Sequence, residues 1–454
     1  MHVPKLRTAE RRIGVVGLYA AGKTVFLTSL VDHLKHSGPG TDFQLGKDGS
    51  ARVRKFSFCG TDDGWRPFPY ESARKRLVHG EEWPEKSIRP TQLSCCFERS
   101  DWYSWVRLKL YDLPGERMAD IPMAGRDYAA WSRHTLRRLR NDRDYDRHAA
   151  DFLELLDRPA DLRESVVLDA YRHALARLAL DYKGYISPSS FLLGGDGKPA
   201  GKKPADTLAS ERIVGLDAER QFAPLPQEAR EEVPDLYEAF QDRYRAYRDA
   251  VALPLAAALR RCHGLIVLVD VPMILCGGVG MYNDNYRMLE DMLHALNPGQ
   301  SLGRAVLTKT GQALLPRRWR PSALTRLAFC ASKVDRVHPM DQGRVKGLLE
   351  QMLQGRADDI DGAESGFWNC CAVRSAEPAS DTERRMCGGL GEKDTGEEST
   401  YSVSAVPDEW PRDWEPGEYT FPNVEPDIPR RLDAPPRQLN LGRILHFVMG
   451  GSWI

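Results

Sequence analysis

Eight residues near the amino end combine types and spacing suited to phosphate chemistry. Gly17-Leu18-Tyr19-Ala20-Ala21-Gly22-Lys23-Thr24 follows the pattern G-x-x-x-x-G-K-[ST] and lies between a strand-like run and a helical one, the context in which this pattern cradles phosphate. Glycine at 17 and 22 permits the tight turn and lets the backbone N–H groups from Tyr19 to Val25 approach phosphate oxygens. Lys23 neutralises the β- and γ-phosphates, and the Thr24 hydroxyl binds magnesium at the positive end of the following helix. Tyr19 sets a bulky side chain near the γ-phosphate. The chemistry implied is nucleoside triphosphate binding.

Asp112-Leu113-Pro114-Gly115 follows an alternating strand. An aspartate at that place holds magnesium through water, and the Gly115 N–H meets a γ-phosphate, so losing that phosphate releases the loop. Such a turn is by itself common punctuation. A switch that senses the γ-phosphate also supplies a hydroxyl to magnesium just before the neighbouring strand; Thr91 is that residue, with Ser87 as the rival. Arg89 then stands close enough to swing onto developing charge. In Ser332-Lys333-Val334-Asp335, after the apolar run Leu327 to Ala331, the Asp335 carboxylate accepts from N1–H and the exocyclic amine of guanine, a pattern that adenine lacks. Charge-assisted bonds of this kind contribute about 1.5–3 kcal/mol each. The Lys333 stem lies along the base face. Cys371 to Ala376 is a short strand leading to small residues, and its Ser375 and Ala376 offer N–H groups to the base oxygen.

The elements that must position these residues alternate. Arg12 to Gly17, Leu93 to Phe97, Trp105 to Asp112, Gly264 to Asp270 and Leu327 to Ser332 read as strands, the last two apolar enough to be buried on both faces. Phe26, Leu27, Leu30, Val31 and Leu34 recur at helical spacing, as do Val345, Leu348, Leu349 and Met352. This alternation predicts an α/β fold with a mainly parallel sheet. From Ser132 to about Leu253 the periodicity is helical: Val167, Leu168, Tyr171, Leu175 and Leu178, then Leu236, Phe240, Tyr244 and Tyr247. Ile186 to Pro224 reads as a long loop, and Glu383 to Glu418, poor in apolar residues, as mobile.

The bulk numbers exclude some classes. The chain has 454 residues, 64 basic and 64 acidic, for a net charge of +0, so no global field draws it to nucleic acid or an anionic membrane. Nine cysteines, an odd number without disulfide-like spacing, fit a reducing compartment. Met1 to Arg12 has no signal-peptide pattern, and the apolar run Gly264 to Gly280 is too short to span a bilayer; a cytoplasmic protein is expected. The arginines between Arg133 and Arg147 interleave with Asp142, Asp144 and Asp146, which reads as an ion-paired helix face. His33, His263 and His338 have no metal-ligand spacing.

The order of these motifs resembles a Ras-like GTPase, and the wording of Gly17 to Val31, Tyr111 to Asp120, Tyr244 to Asp270, Phe329 to Pro339 and Ala372 to Glu377 resembles the YcjX-like family of bacterial P-loop GTPases. That resemblance implies a P-loop NTPase fold, a Ras-like G domain in two parts, 1–132 and 254–454, around a helical insertion, 133–253, with the mobile stretch near 383–418. It implies GTP or GDP as ligand, Mg²⁺ as cofactor, slow GTP hydrolysis driving a switch, and a protein or membrane-associated effector. The catalytic set is Lys23, Glu116 and Arg89. Thr24, Thr91 and Asp112 bind the metal. Gly17, Tyr19, Ala20, Ala21, Gly22, Lys23, Thr24, Val25, Gly115, Ser332, Lys333, Asp335, Ser375 and Ala376 bind nucleotide. Two positions depart from the pattern. Ser332 stands where Asn or Thr is usual, which removes an amide that braces the base loop. Glu116 stands where many Ras-like proteins carry a water-orienting Gln, and its charge repels the γ-phosphate. A binding module with negligible hydrolysis and an ATP-dependent enzyme are the competing readings.

Overall fold

The structure, a computed structural model, describes residues 9–17, 20–36, 43, 45–46, 51–80, 82–84, 90–100, 105–141, 143–178, 220–296, 324–357, 363–388, 399–429 and 431–450. It forms two compact units, one of Met1–Gly115, Arg261–Tyr282 and Ser322–Ile454, the other of Glu116–Arg260 and Asn283–Pro321.

The first unit is built on an eight-stranded sheet. Its strands are β1 (Ala9–Gly17), β2 (Val53–Cys59), β3 (Arg66–Pro67), β4 (Thr91–Arg99), β5 (Trp105–Asp112), β6 (Gly264–Val269), β7 (Arg326–Ala331) and β8 (Glu364–Asn369). The order is β2-β4-β5-β1-β6-β7-β8, with β3 also paired to β4. From β5 to β8 all neighbours are parallel, and β4 runs antiparallel to both β5 and β2. The mainly parallel sheet is therefore as expected. β6 is buried at every position, as a parallel strand covered on both faces must be. Neither β2 nor β8 was read from the sequence. β2 alternates poorly and buries only Val53 fully, and β8 is short and mixed in polarity.

One face of the sheet carries Ile13, Val15, Leu108, Leu110, Ile266 and Leu268. On it pack Phe26, Leu27, Leu30 and Val31 of helix α1 (Lys23–Lys35), together with Ile444, Leu445 and Val448 of the helix Leu441–Met449. That carboxy-terminal helix lies so close that a Cβ at Gly264 would stand 2.5 Å from the Val448 carbonyl oxygen. Gly264→Ala is therefore expected to lose about 1–3 kcal/mol, the usual cost of overpacking a filled core. Urea denaturation checks this; an unchanged midpoint would mean the helix does not sit against β6.

The stretch Glu383 to Glu418, expected to be mobile, contains regular structure. Among its described residues are β10 (Arg385–Gly388) and β11 (Ser399–Ser402), which with β9 (Glu377–Pro378) make a three-stranded antiparallel sheet. The Trp414 indole is buried and donates to Leu275 O at 2.9 Å, and Trp410 donates to Leu348 O at 2.7 Å. Counting apolar residues missed this because two tryptophans bury as much area as several aliphatic side chains. Residues 389–398 lie outside the described residues.

The second unit is helical, with helices Tyr128–Asn141, Arg143–Leu156, Glu164–Arg177, Pro234–Tyr247 and Leu253–Arg260. Its core is aromatic: Tyr128, Trp131, Phe222, Tyr237 and Tyr244 pack on one another. Met123, Tyr128 and Trp131 belong to this core, which is why the unit begins at Glu116, ahead of residue 133, and continues past 253 to Arg260. The basic stretch is ion-paired: among the described residues Arg138 bonds Asp284, and Arg140 bonds Asp157 at 3.3 Å. Of the expected loop Ile186 to Pro224, residues 186–219 lie outside the described residues, while Phe222 and Ala223 are core.

Candidate nucleotide site

β1 ends at Gly17, where a Cβ would meet the Leu268 carbonyl oxygen of neighbouring β6 at 2.8 Å; only glycine lets the two strands close there. The chain then turns through two left-handed residues, Ala20 (φ 59°) and Gly22 (φ 85°). Left-handed residues alternating with right-handed ones aim successive N–H groups into one concavity, a cradle for anions. Ala20 adopts this conformation at a cost of about 1–2 kcal/mol, and strain of this kind collects at functional turns. Gly22 is the N-cap of α1, and Phe26 N–H closes the first turn on Gly22 O at 2.8 Å. Lys23, nearly buried, donates from Nζ to Gly17 O at 3.0 Å, so its ammonium lies over the turn that precedes it. Ala21 and Thr24 are buried and Val25 is half-buried beside them.

Asp112 is the last residue of β5, between Val15 of β1 and Thr91 of β4 in register. Residues directly opposite share a face, and that face, shared with Leu108 and Leu110, is the one α1 covers. The sheet thus brings Thr91 and Asp112 together beneath the helix whose first turn carries Thr24. The Thr91 hydroxyl is buried and has no hydrogen-bond partner among the described residues. An orphaned hydroxyl beside a buried carboxylate fits Mg²⁺, which takes oxygen ligands and is usually held by one or two protein groups plus phosphate oxygens. Gly115 opens a 3-10 segment, Gly115–Gly125. Tyr19, Ser87, Arg89 and the side chain of Glu116 lie outside the described residues.

Beyond β7, Ser332 N–H donates to Val269 O at 2.9 Å, and Lys333 is left-handed (φ 57°). Its stem passes the phosphate turn: Lys333 Cε lies 3.8 Å from where a Cβ would stand on Gly22. Its ammonium meets Asp270 Oδ2 at 3.0 Å, and Arg336 reaches the same oxygen at 3.5 Å. Burial alone would raise the Asp270 carboxyl, but Lys333 and Arg336 hold it below the usual carboxylate range. Asp335 is buried, and its Oδ2 accepts from Ser375 N–H at 3.0 Å, which joins the third and fourth motifs. Burial pushes its carboxyl up, against the lowering effect of that bond. Ala376 follows, and β10 leans on this loop: a Cβ on Gly388 would stand 2.9 Å from Ser375 O. The Ser332 hydroxyl is buried without a partner among the described residues.

Three residues here escaped the sequence reading. Asp270 and Arg336 orient Lys333. Tyr401 of β11 has a buried hydroxyl without a partner among the described residues, and burial, then the charge of Asp335, pushes it up to about 12. Asp270 had a signal, a polar residue at the carboxyl end of an apolar parallel strand, where open α/β sheets place ligands. Tyr401 had none. His33, His263 and His338 are structural, bonded to Pro436 O, Arg12 N–H and Ser380 O.

Residues 11–452 match the YcjX-like family, DUF463. The chain belongs to this family. Two similar proteins, each named Ras-like GTPase YcjX, come from Escherichia coli (strain K12) and Shewanella oneidensis. The first is 25% identical over 374 residues, covering 76% of this chain and 73% of the relative. The second is 26% identical over 381 residues, covering 77% and 73%. A solved structure, titled as the signal recognition particle receptor SRb-GTP/SRX complex from Chaetomium thermophilum, matches with 11% identity and a TM-score of 0.26 over 80% of this chain and 93% of that one. Among the described residues of this YcjX-like chain, no helix is long and apolar enough to cross a membrane.

Proposed function

We propose that this YcjX-like chain is a magnesium-dependent guanine-nucleotide switch that hydrolyses GTP slowly. The observation that carries the reading is the approach of Lys333 to Gly22, which sets the phosphate cradle beside the loop whose Asp335 carboxylate is fixed to Ser375 N–H. A single nucleotide spans such a pair of sites, and the family relatives named Ras-like GTPases support the same ligand.

In this reading Lys23 leaves Gly17 O for the β- and γ-phosphates, and the cradle N–H groups from Tyr19 to Val25 take the remaining phosphate oxygens. Lys333 covers the base face, Asp335 accepts from the guanine edge, and Ala376 faces the base oxygen, whereas the Ser375 N–H, expected at the base, is instead taken by Asp335 Oδ2 and steadies the base-reading carboxylate. Thr24, Thr91 and Asp112 are the residues that would hold Mg²⁺, which supplies charge neutralisation between the β- and γ-phosphates. Gly115 N–H reads the γ-phosphate. Glu116 orients the attacking water at the cost of repelling that phosphate, and Arg89 offsets charge on the leaving oxygens; the first effect keeps hydrolysis slow. Nine free cysteines support a reducing, cytoplasmic setting, and the effector that reads the switch is a protein or membrane-associated partner. Competition binding should show GTP and GDP displacing one another with ATP ineffective, and single-turnover hydrolysis should run at about 10⁻⁴–10⁻² s⁻¹. Displacement by ATP at equal concentration would sink the guanine reading.

The switch has its own readout. Gly115–Gly125 follows Asp112 without a break and leads into the helix Tyr128–Asn141. Hydrogen exchange should differ between GDP and a non-hydrolysable GTP analogue at 115–125, and also between Tyr128 and Tyr171 or between Leu236 and Tyr247. A response limited to 115–125 would leave the helical unit a docking surface only.

A further inference from the structure

Cys59 closes β2, and Cys96 stands in the middle of β4. In the antiparallel register Cys59 faces Ser94 and Cys96 faces Ser57. The two cysteines are therefore diagonal neighbours on one face of the sheet, opposite the face of Cys95 and Phe97. Their sulfurs are 2.7 Å apart and both are free thiols. Arg107 lies directly opposite Cys96 on β5, on the same face as the two sulfurs. Cys59, on the edge strand, is only half-buried, so a small reagent reaches the pair from that side. Cys330 and Cys370 are also neighbours, but both are enclosed.

We propose that Cys59 and Cys96 are an oxidisable dithiol, a modification site whose reactant is hydrogen peroxide and whose product is a cross-strand disulfide between β2 and β4. Burial, then the bond to Cys96, pushes the Cys59 thiol up to about 12, so Cys59 keeps its proton until the second step. The Cys96 sulfur attacks one peroxide oxygen; the O–O bond breaks, and the departing hydroxide takes a proton to become water. The sulfenic acid left on Cys96 is then attacked by the Cys59 sulfur. The S–S bond forms, the S–O bond breaks, and the second water leaves with the Cys59 proton. Two thiols and one peroxide give one disulfide and two waters, with two electrons passing from sulfur to oxygen.

The bridge would act on the segment that follows Cys59. Asp62 N–H donates to the Gln92 side chain at 2.7 Å, the Asp62 carboxylate takes Lys109 at 2.8 Å, and β3 pairs with Thr91 and Gln92. A disulfide at Cys59 fixes one end of this strap, while the other end pairs with Thr91. Oxidation therefore tightens the strand that presents Thr91.

The test treats the full chain with hydrogen peroxide, quenches, alkylates under denaturing conditions and maps peptides by mass spectrometry. The expected result is a linked pair of peptides carrying Cys59 and Cys96, two hydrogens lighter than their sum, with slowed hydrogen exchange across Gly60–Pro67. Cys59→Ser, at the exposed edge, and Cys96→Ser should each abolish the link, the first serving if the second does not fold. Recovery of Cys59 as alkylated thiol or sulfinic acid with no linked peptide would overturn the dithiol. A link formed without any change in exchange across Gly60–Pro67 would overturn the strap.

Discussion

Lys23→Ala is expected to lose GTP affinity by about 10²-fold or more while the chain stays folded. The ammonium would contact two phosphates, and each charge-assisted bond contributes about 1.5–3 kcal/mol. The fold should tolerate the change because alanine is the best helix former and position 23 opens α1 without belonging to its apolar stripe. Thermal shift separates the two effects. At a ligand concentration a hundred times Kd the parent gains about 2.7 kcal/mol, several degrees for a unit of this size, whereas the variant should gain about 0.4 kcal/mol or less. Equal stabilisation of variant and parent by GTP would remove the phosphate loop from the ligand site.

Asp335→Asn is expected to lower GTP affinity by about 10–10³-fold, the loss of one or two charge-assisted bonds, and to raise affinity for xanthosine triphosphate. An amide has one oxygen. With that oxygen retained by Ser375 N–H, as Oδ2 is in the parent, its NH₂ turns toward the base, where it donates to the xanthine carbonyl and clashes with the guanine amine. Little stability should be lost, because burial already disfavours the charged carboxylate at this position and the amide removes that penalty. Competition binding with both nucleotides checks it. Unchanged GTP affinity would place the base elsewhere and reopen the ATP-dependent reading.

The legible part of the site is the part whose chemistry is local. Gly17, Gly22, Lys23 and Thr24 must be contiguous because one turn has to wrap one phosphate chain, and the strand and helix flanking them show in apolar spacing. Thr91 and Asp112 were found as candidates, but their pairing is a fact of sheet register that no local pattern contains. Asp270 and Arg336, which orient Lys333, are brought to it by neighbouring strands and a turn, and Tyr401 arrives from a sheet appended after Ala376. In the fold, β6 and β7 were plain because burial on both faces leaves continuous apolar runs. β2 was not, since an edge strand mostly exposed has no such run. The compact helical unit begins at Glu116, ahead of the expected residue 133, and that edge is hard to read because Met123, Tyr128 and Trp131 are equally good core residues for a sheet or a bundle, and only their aromatic partners near residues 222 and 244 decide between them.

The strands flanking β1 are made at very different times. Its β5 neighbour is translated about 100 residues after β1, but its β6 neighbour comes about 250 residues after it, an interval between the two of roughly ten to thirty seconds at ribosomal speed. Until then the backbone edge of Ile13 to Gly17 has no strand to pair with, and a loop of this length carries a closure entropy that local contacts cannot offset early. The phosphate turn shares that dependence, because Gly17 is fitted against Leu268. A nascent chain arrested between Thr24 and Gly264 therefore carries the full phosphate-loop sequence without the strand that shapes it. Such a chain exposes an open parallel edge instead, which makes the late-arriving β6 the step that commits the chain either to closure of the sheet or to aggregation.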